Sequence, residues 1–364
     1  MSRPLDGSAR PPWPDVGRWL TSGPGLRLAA VFLLAAAGLA GLTLYEYVAF
    51  GWPIGREEAP SFDAYHLVRT VLAATAAAAV VIAVMAARAG GCDLDRRPLG
   101  VAPALAAGLV MAAGLAAAGL LVASPQAFHA FAREDSPLEW ASALLLLGAS
   151  ALFAVGAARG LLARGSAIAL PAGLAAIAFF VLGMEEISWM QRLIGFGTPD
   201  QIAELNWQAE FNLHNIQTDL SELIYYTGAG LFLSVLPLLR EAASPGLSRH
   251  PLAAFVPGRG IAALAAPAAT LTYGQWNLLP VQLSFWLAIA VLLAFAWAAG
   301  RQGRRAEGGL FLALALAVAG GQAMVLANGA AMADLPDASE YKELFIAFGL
   351  ACYAAAATRA AARG

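Results

Sequence analysis

The chain has 364 residues, of which 60% are hydrophobic and 13% are charged, and its formal net charge is -2. A soluble domain carries roughly 25% charged residues, so this composition excludes an ordinary soluble protein and predicts an all-α, polytopic transmembrane helical bundle. The near-neutral charge, without a block of Lys or Arg, argues against a nucleic-acid partner. Cys92 and Cys352 stand far apart and outside any CxxC pattern, which excludes a disulfide framework.

Ten apolar runs are long enough to cross the roughly 30 Å hydrocarbon core of a bilayer, which takes about 20 helical residues. We place them at 28–48, 66–87, 101–123, 137–161, 167–189, 220–239, 261–275, 281–299, 309–328 and 343–357. The seventh run contains Pro267, so a re-entrant segment is the alternative there, and it would change the later topology. Residues 1–26 are predicted to form a flexible tail, and residues 27–364 one integral-membrane domain whose first run is an uncleaved anchor.

The basic residues predict the orientation, because Lys and Arg collect in cytoplasmic loops. With the N-terminus inside, the outer side keeps only Arg56, Arg69, Arg133, Arg192 and Lys342. Most of the acidic residues fall on the outer side. We therefore expect a bacterial inner-membrane protein with both termini in the cytoplasm and an acidic periplasmic face.

The longest outer connection, 191–219, is predicted to contain a short interfacial helix. Thr198 would be its N-cap, Pro199 its first residue and Gln201 its third. The same capping pattern occurs as Ser136 with Glu139, Asp219 with Glu222 and Asp337 with Glu340. Those glutamates are therefore interpreted as structural caps, whereas Glu134 and Glu343 have no such explanation.

The stretch GMEEISWMQR places Glu185 and Glu186 at the outward end of the fifth run, where the helix dipole disfavours anions. A charge near hydrocarbon costs at least about 2.5 kcal/mol on insertion scales, so functional use is one explanation and a buried structural ion pair is the other. On a continuous helix, Glu185, Ser188 and Arg192 share one face, and Glu186 points about 100° away. We predict Glu185, Glu186 and Arg192 as catalytic residues, with Ser188 and Gln191 binding substrate.

The segment NLHN supplies a second candidate group. His214 is predicted to shuttle protons or to ligate a metal, and Asn212 and Asn215 to bind substrate. On the outer side, Arg133 and Glu134 are further substrate-binding candidates. His66 and His129 are further candidate metal ligands. A divalent metal held by His214, Glu185, His66 and His129 is one candidate cofactor, although no HxxH or HExxH pair is present. No phosphate-binding glycine loop or Walker lysine occurs, and the single lysine, Lys342, is placed in an outer loop, which argues against a nucleotide substrate.

The stretch from 183 to 215, read as GMEEISWMQRLIGFGTPDQIAELNWQAEFNLHN, resembles a group of uncharacterised bacterial multi-pass membrane proteins that share GEEISWGQR, TP and NLHN. The acidic REDSPLEW stretch is also similar to theirs. The resemblance implies a bacterial membrane location and a common site formed by Glu185, Glu186, Ser188, Trp189, Gln191, Arg192, Asn212, His214 and Asn215. Met184 and Met190 replace small residues of that pattern.

Three functions fit these residues. The first is a membrane-embedded hydrolase or transferase that acts on a lipid or lipid-linked substrate, with Arg192 holding an anionic group. The second is a proton- or cation-coupled transporter that uses the same acids. The third is a structural or assembly factor of the membrane. The first is our leading hypothesis, because short loops favour a substrate that is reached from within the bilayer.

Overall fold

The computed structural model describes residues 23–51, 59–87, 97–133, 135–163, 166–206, 208–242, 250–331 and 339–363. Within these residues, nine helices are long and apolar enough to cross a membrane. They are α1 Gly23–Phe50, α2 Ala64–Ala87, α3 Val101–Ala123, α4 Pro137–Ala163, α5 Ser166–Glu186, α6 Thr218–Ala242, α7 Leu279–Arg301, α8 Arg305–Asn328 and α9 Glu340–Arg363. The predicted all-α multi-pass bundle is confirmed, and the chain is an integral membrane protein.

Short helical pieces connect these spans. They are Pro125–Phe131, Gln191–Ile194, Asp200–Ala203 and Arg259–Leu264, with single turns at Ser188–Met190, His214–Ile216, Pro251–Phe255, Ala266–Ala269 and Gly329–Ala331. Helix α6 contains a π-turn at Leu231–Val235. Most of the predicted tail, the loop residues 52–58 and Glu134 lie outside the described residues.

The count of ten continuous spans was wrong at the seventh run, 261–275, which is not one helix. Arg259–Leu264 is helical, Ala266–Ala269 is a 3₁₀ turn, and Leu271 has a φ of +62°. Pro267 explains the break, because its nitrogen cannot donate the helical hydrogen bond and its ring clashes with the preceding turn. Unwound backbone at membrane depth is tolerated only where protein surrounds it, and this segment is largely buried.

The broken segment nevertheless passes from one end of the bundle to the other. Arg259 binds Glu241 and Glu307 at the end that we call the arginine end, with N–O distances of 3.1 and 2.8 Å. Gln275 donates to Glu222 at the opposite end. We call that opposite end the acidic end; it carries the C-terminus of α5 and the N-termini of α6 and α9. The segment therefore passes through the bundle as a tenth crossing. The spans that follow it then run in the alternating directions that ten crossings require.

Small residues let the broken segment fit between its neighbours. A Cβ on Gly114 of α3 would lie 2.9 Å from Pro267, and a Cβ on Gly349 of α9 would lie 2.8 Å from Ala265. Both distances are too short for any side chain, so glycine is required for this close approach. The segment contributes residues to two apolar clusters, one formed mainly with α2, α3, α7 and α8 and the other with α4, α5, α6 and α9.

The predicted interfacial helix begins one residue later than its capping pattern indicates. The structure has one helical turn, Asp200–Ala203, and Pro199 occupies its N-cap position instead of the first helical position. Thr198 does not cap it; the Thr198 hydroxyl donates to the carbonyl of Ala209 at 2.8 Å. The connection still exposes apolar side chains, at Leu193, Ile194, Leu205 and Leu213, as expected of a segment at the membrane interface.

Candidate functional site

The two adjacent glutamates at the end of α5 have different surroundings. Glu185 points toward the loop that follows α5. Its carboxylate accepts hydrogen bonds from the indole nitrogen of Trp189 at 2.7 Å and from the backbone nitrogens of Leu213 and His214 at 2.7 and 3.1 Å. The Nδ1 atom of His214 lies 3.5 Å from the same carboxylate. Glu185 therefore ties the NLHN segment to the end of α5.

A left-handed turn directs the chain away from α5. Ser188, Trp189 and Met190 have φ values of 44°, 55° and 61°, in a region that costs residues with a side chain roughly 1–2 kcal/mol each. The contacts of Ser188 offset part of this strain: it donates to Glu210 and accepts from the Asn212 amide at 2.9 Å. Helix α5 does not continue to Arg192, so the condition for Glu185, Ser188 and Arg192 to share one helix face is not met. Three strained residues in succession are typical of a functional region.

The remaining polar residues of the motif bond within the loop. Gln191 donates to Thr198 at 2.6 Å and accepts from the backbone of Phe211 at 2.7 Å. Asn212 accepts from Asn206 at 2.7 Å, and Asn215 donates to Gln208. The substrate-binding roles of Ser188, Gln191, Asn212 and Asn215 stay predictions, since every one of these side chains has a partner inside the loop.

The predicted anion-binding arginine lies beside the cavity and not in its wall. Arg192 forms ion pairs with Asp135 and Glu210, and 48% of its side chain is exposed. Arg133 is exposed on the neighbouring connection, and Glu134 is outside the described residues. The catalytic role of Arg192 and the binding role of Arg133 stay predictions.

Glu186 points the other way and meets two glutamates from α9. Oxygens of Glu186, Glu340 and Glu343 all lie within 4.8 Å of one another, and all three side chains are partly buried. Among the described residues, this is the one group of three His, Cys, Asp or Glu side chains close enough to share a metal ion. Three carboxylates at this spacing are compatible only if protons or a cation are held among them. We call Glu186, Glu340 and Glu343 the glutamate cluster.

A lysine and a tyrosine support this cluster. The Tyr226 hydroxyl donates to Glu343 at 2.6 Å, and the Lys342 ammonium lies 5.2 Å from the centre of the Tyr226 ring. Lys342 donates to the carbonyls of Ala268 and Thr270 at 3.1 and 3.3 Å and to the Thr272 hydroxyl at 2.7 Å. The placement of Lys342 in an outer loop was wrong: it is in the first turn of α9, is 5% exposed, and satisfies the unwound part of the broken segment.

The glutamate cluster borders a cavity of about 540 Å³ between α5, α6 and α9. At the acidic end the cavity is lined by Glu185, Glu186, His214, Ser221, Glu222, Tyr225 and Glu343. Toward the middle of the bundle the lining is apolar, with Phe179, Leu182, Ile224, Gly228, Ala229, Phe232 and Leu350. The cavity therefore has one polar end and one hydrocarbon-like end.

Two of the histidines predicted as metal ligands do not line this cavity. The Nδ1 atom of His66 lies 3.0 Å from Asp63 at the start of α2, and His129 is in the short helix after α3. The backbone N–H of His66 lowers the pKa of Asp63 to about 2, with a further contribution from the His66 ring. Of the predicted metal ligands only Glu185 and His214 lie together, and the four-residue set stays a prediction.

The structure adds four residues to the site that the sequence patterns do not reveal. Glu222 and Tyr225 line the cavity, Glu340 belongs to the glutamate cluster, and Tyr226 donates to Glu343. The sequence predicts helix caps at Glu222 and Glu340 and no role for the two tyrosines. The N-cap residue of α6 is Gln217, and its side chain makes no capping hydrogen bond. The predicted capping pair of Asp219 and Glu222 therefore does not form there. A usable signal was present in the spacing of Glu340 and Glu343, which share one helix face beside the only lysine of the chain.

Comparison with known proteins does not identify the chain. No family model matches it, and no match is found among curated proteins or solved structures.

Proposed function

We propose that the protein is an enzyme of the bacterial inner membrane that hydrolyses or transfers a group on a lipid or lipid-linked substrate. The cavity carries this proposal, because it combines an apolar part with carboxylates and an imidazole at one end. An amphipathic molecule fits it with hydrocarbon beside Phe179, Phe232 and Leu350 and its polar group beside Glu186. A volume of about 540 Å³ lies within the usual range of ligand pockets.

The substrate enters from the bilayer, through the side of the cavity formed by α6. Ile224 lines the cavity and is also 64% exposed, and Gly228, one turn further along α6, is exposed as well. An exposed isoleucine on a spanning helix faces lipid, so the cavity meets the hydrocarbon region at this point. A lipid can thus reach the cavity without leaving the membrane.

The acid and base groups have distinct roles in this proposal. Glu186 is the general base, because no hydrogen bond or ion pair reaches its carboxylate within the described residues and it faces the cavity. His214 relays protons, with its ring oriented by Glu185 at 3.5 Å. Tyr225 supplies a hydroxyl beside the polar group of the substrate. Arg192 is a positioning residue that holds the loop through its two ion pairs.

The acidic end is assigned to the periplasmic side. With the alternation of ten crossings kept by the broken segment, the excess of arginine on the other side of the membrane supports a cytoplasmic arginine end. The resemblance of the 183–215 stretch to bacterial membrane proteins supports the same location.

A proton- or cation-coupled transporter is the second candidate, and the broken segment favours it. Transporters bind ions with the backbone carbonyls of discontinuous helices, and here the carbonyls of Ala268 and Thr270 bind the Lys342 ammonium. The cavity, however, has an apolar floor at Phe179 and Leu350 and does not continue as a polar route. We therefore rank the enzyme first.

A pair of glycine variants tests lipid binding. A Cβ on Gly228 or on Gly148 meets nothing within 4 Å, and both glycines are exposed on spanning helices. Only Gly228 lines the cavity. We expect Gly228→Phe to lose at least tenfold of the lipid that co-purifies with the wild type in mild detergent, measured by mass spectrometry, whereas Gly148→Phe retains it. Equal lipid content in the two variants would exclude the cavity as the binding site.

The reaction is tested with the same protein reconstituted into vesicles of bacterial total lipid. We expect the mass of a lipid species to change with time in the presence of wild type, and no change with Glu186→Gln. Lipid binding without any conversion, combined with cation-dependent solute flux across the vesicle membrane, would favour the transporter.

A further inference from the structure

We infer that Glu186, Glu340 and Glu343 bind one divalent cation of the hard, oxygen-preferring kind, such as Mg²⁺, Ca²⁺ or Mn²⁺. One part of the inference rests on the proposed function. If a lipid substrate binds in the cavity, the cation selects a polar group that is an oxyanion, such as a phosphate, over one that carries an amine. Binding of the cation itself requires no substrate.

The spacing of the glutamate cluster suits a shared ion. Mg²⁺ and Ca²⁺ bind oxygen at about 2.0–2.6 Å, so two oxygens on one ion are separated by at most about 4–5 Å. The three carboxylates already lie within 4.8 Å of one another. The residues come from the end of α5 and the start of α9, so the ion would connect two helices that are far apart in sequence.

The local charge favours a divalent ion over a monovalent one. Three glutamates carry three negative charges when ionised, and Lys342 supplies one positive charge on the far side of Tyr226. A divalent cation offsets two of these negative charges, whereas a monovalent ion offsets one and leaves more uncompensated charge at the edge of the hydrocarbon region. The C-terminal dipole of α5 also favours a cation beside Glu186.

A buried tyrosine hydroxyl independently points to a ligand at the glutamate cluster. The Tyr225 hydroxyl oxygen is buried and has no hydrogen-bond partner among the residues that the structure describes, although the residue lines the cavity. The Glu186 carboxylate also faces the cavity, and within the described part of the chain it receives no hydrogen bond. Buried polar groups are almost always satisfied, so a bound cation with its water molecules accounts for the unpaired Tyr225 hydroxyl. Tyr226, by contrast, is bonded to Glu343 and orients it, as outer groups orient metal ligands.

The donor atoms decide the kind of metal. The cluster offers carboxylate oxygens and one neighbouring hydroxyl, with neither sulfur nor imidazole among its three ligands. Oxygen-only sites suit Mg²⁺, Ca²⁺ and Mn²⁺, whereas structural and catalytic zinc sites use His and Cys. Three protein ligands leave other coordination positions for water or for a phosphate oxygen in the cavity. Phosphate binding at such a cation is common, and it would place the reacting bond of a phospholipid beside Glu186.

The test is a titration of the purified full-length protein in detergent with Mn²⁺, followed by electron paramagnetic resonance. We expect one Mn²⁺ per chain, displaced by Mg²⁺ or Ca²⁺, with affinity at least tenfold lower in Glu186→Gln and in Glu343→Gln. Glu204→Gln is the matched control, since Glu204 is exposed on the loop, and its affinity should equal that of wild type. Tyr225→Phe, which removes only one hydroxyl, should show a smaller loss and keeps the test informative if a glutamine variant does not fold.

Each other result overturns the inference. Absence of a saturable Mn²⁺ site does so, as does equal affinity in wild type and folded Glu186→Gln. An infrared band of a protonated carboxyl group that is lost in Glu186→Gln, without Mn²⁺ binding, would show that the cluster shares protons instead. Because the titration uses no lipid, its failure leaves the lipid-retention result unaffected, and failure of lipid retention leaves the cation site unaffected.

Discussion

Glu186→Gln should make the cation-free protein more stable, although it removes a charged group from the centre of the site. Two unit charges no more than 4.8 Å apart repel each other by at least about 3 kcal/mol at an effective dielectric constant of about 20. The glutamate cluster relieves part of this repulsion by holding a proton. Glutamine removes one charge, keeps the shape, and offers an amide that can donate to the two remaining carboxylates. We therefore expect a net gain of about 1–3 kcal/mol in the free energy of unfolding.

The assay is thermal unfolding at pH 8 in detergent with a chelator, followed by tryptophan fluorescence. One kcal/mol shifts the midpoint by about 2–4 °C for a domain of ordinary size, so a rise of several degrees is expected. Mg²⁺ at one hundred times the wild-type dissociation constant should then narrow the difference, because it stabilises wild type by about 2.7 kcal/mol and a variant with tenfold lower affinity by only about 1.4 kcal/mol. Glu204→Gln should change neither midpoint.

A Glu186→Gln protein that is less stable than wild type in chelator would refute this reasoning. That result would mean that the Glu186 carboxylate makes a net favourable interaction in the cation-free fold. The cluster would then be an ordinary structural network, and the repulsion inferred from the oxygen spacing would not exist.

Four other predictions concern the elements that position the site. Arg259→Met should destabilise the protein by up to about 3–5 kcal/mol in chemical unfolding, because the buried Glu241 and Glu307 lose the Arg259 guanidinium while Glu307 keeps its ion pair with Arg304; a loss below about 1 kcal/mol would contradict a stabilising role of Arg259 at the arginine end. Gly349→Ala should lower the thermal midpoint, since the added Cβ lies 2.8 Å from the broken segment, whereas Gly148→Ala, with nothing within 4 Å, should not lower it. Glu185→Gln should increase hydrogen exchange at the NLHN backbone amides that its carboxylate binds, and unchanged exchange would remove it as the loop anchor. The pKa of Asp63 is lowered from 3.8 to about 2, so the contribution of Asp63 to stability is complete above pH 4 and is lost as the pH falls toward 2. The difference in unfolding free energy between wild type and Asp63→Asn should therefore shrink over that interval. A constant difference would argue against stabilisation by the hydrogen bonds between Asp63 and His66.

The sequence predicted the site in part. It singled out Glu186 and recognised that Glu343 had no capping explanation, and the structure brings these two together. It grouped Glu185 with Arg192 on one helix face, but the left-handed turn at Ser188–Met190 ends that face. Ser, Trp and Met are not residue types that favour a positive φ, so the sequence gives no sign of this turn. Only the contacts of the loop in the folded protein stabilise the conformation.

The amino-acid sequence by itself determined the class of the protein and nearly all of its spans, since apolar run length is a local property that the bilayer selects. Only the tertiary structure decided that the crossing around Pro267 is broken, that Lys342 is buried against it, and that Glu186 meets Glu340 and Glu343. These outcomes depend on how α5 and α9 are rotated and how closely they pack. Rotation is set by the shapes of many side chains distant in sequence, and Ala-rich spans with apolar residues on every face leave it unspecified.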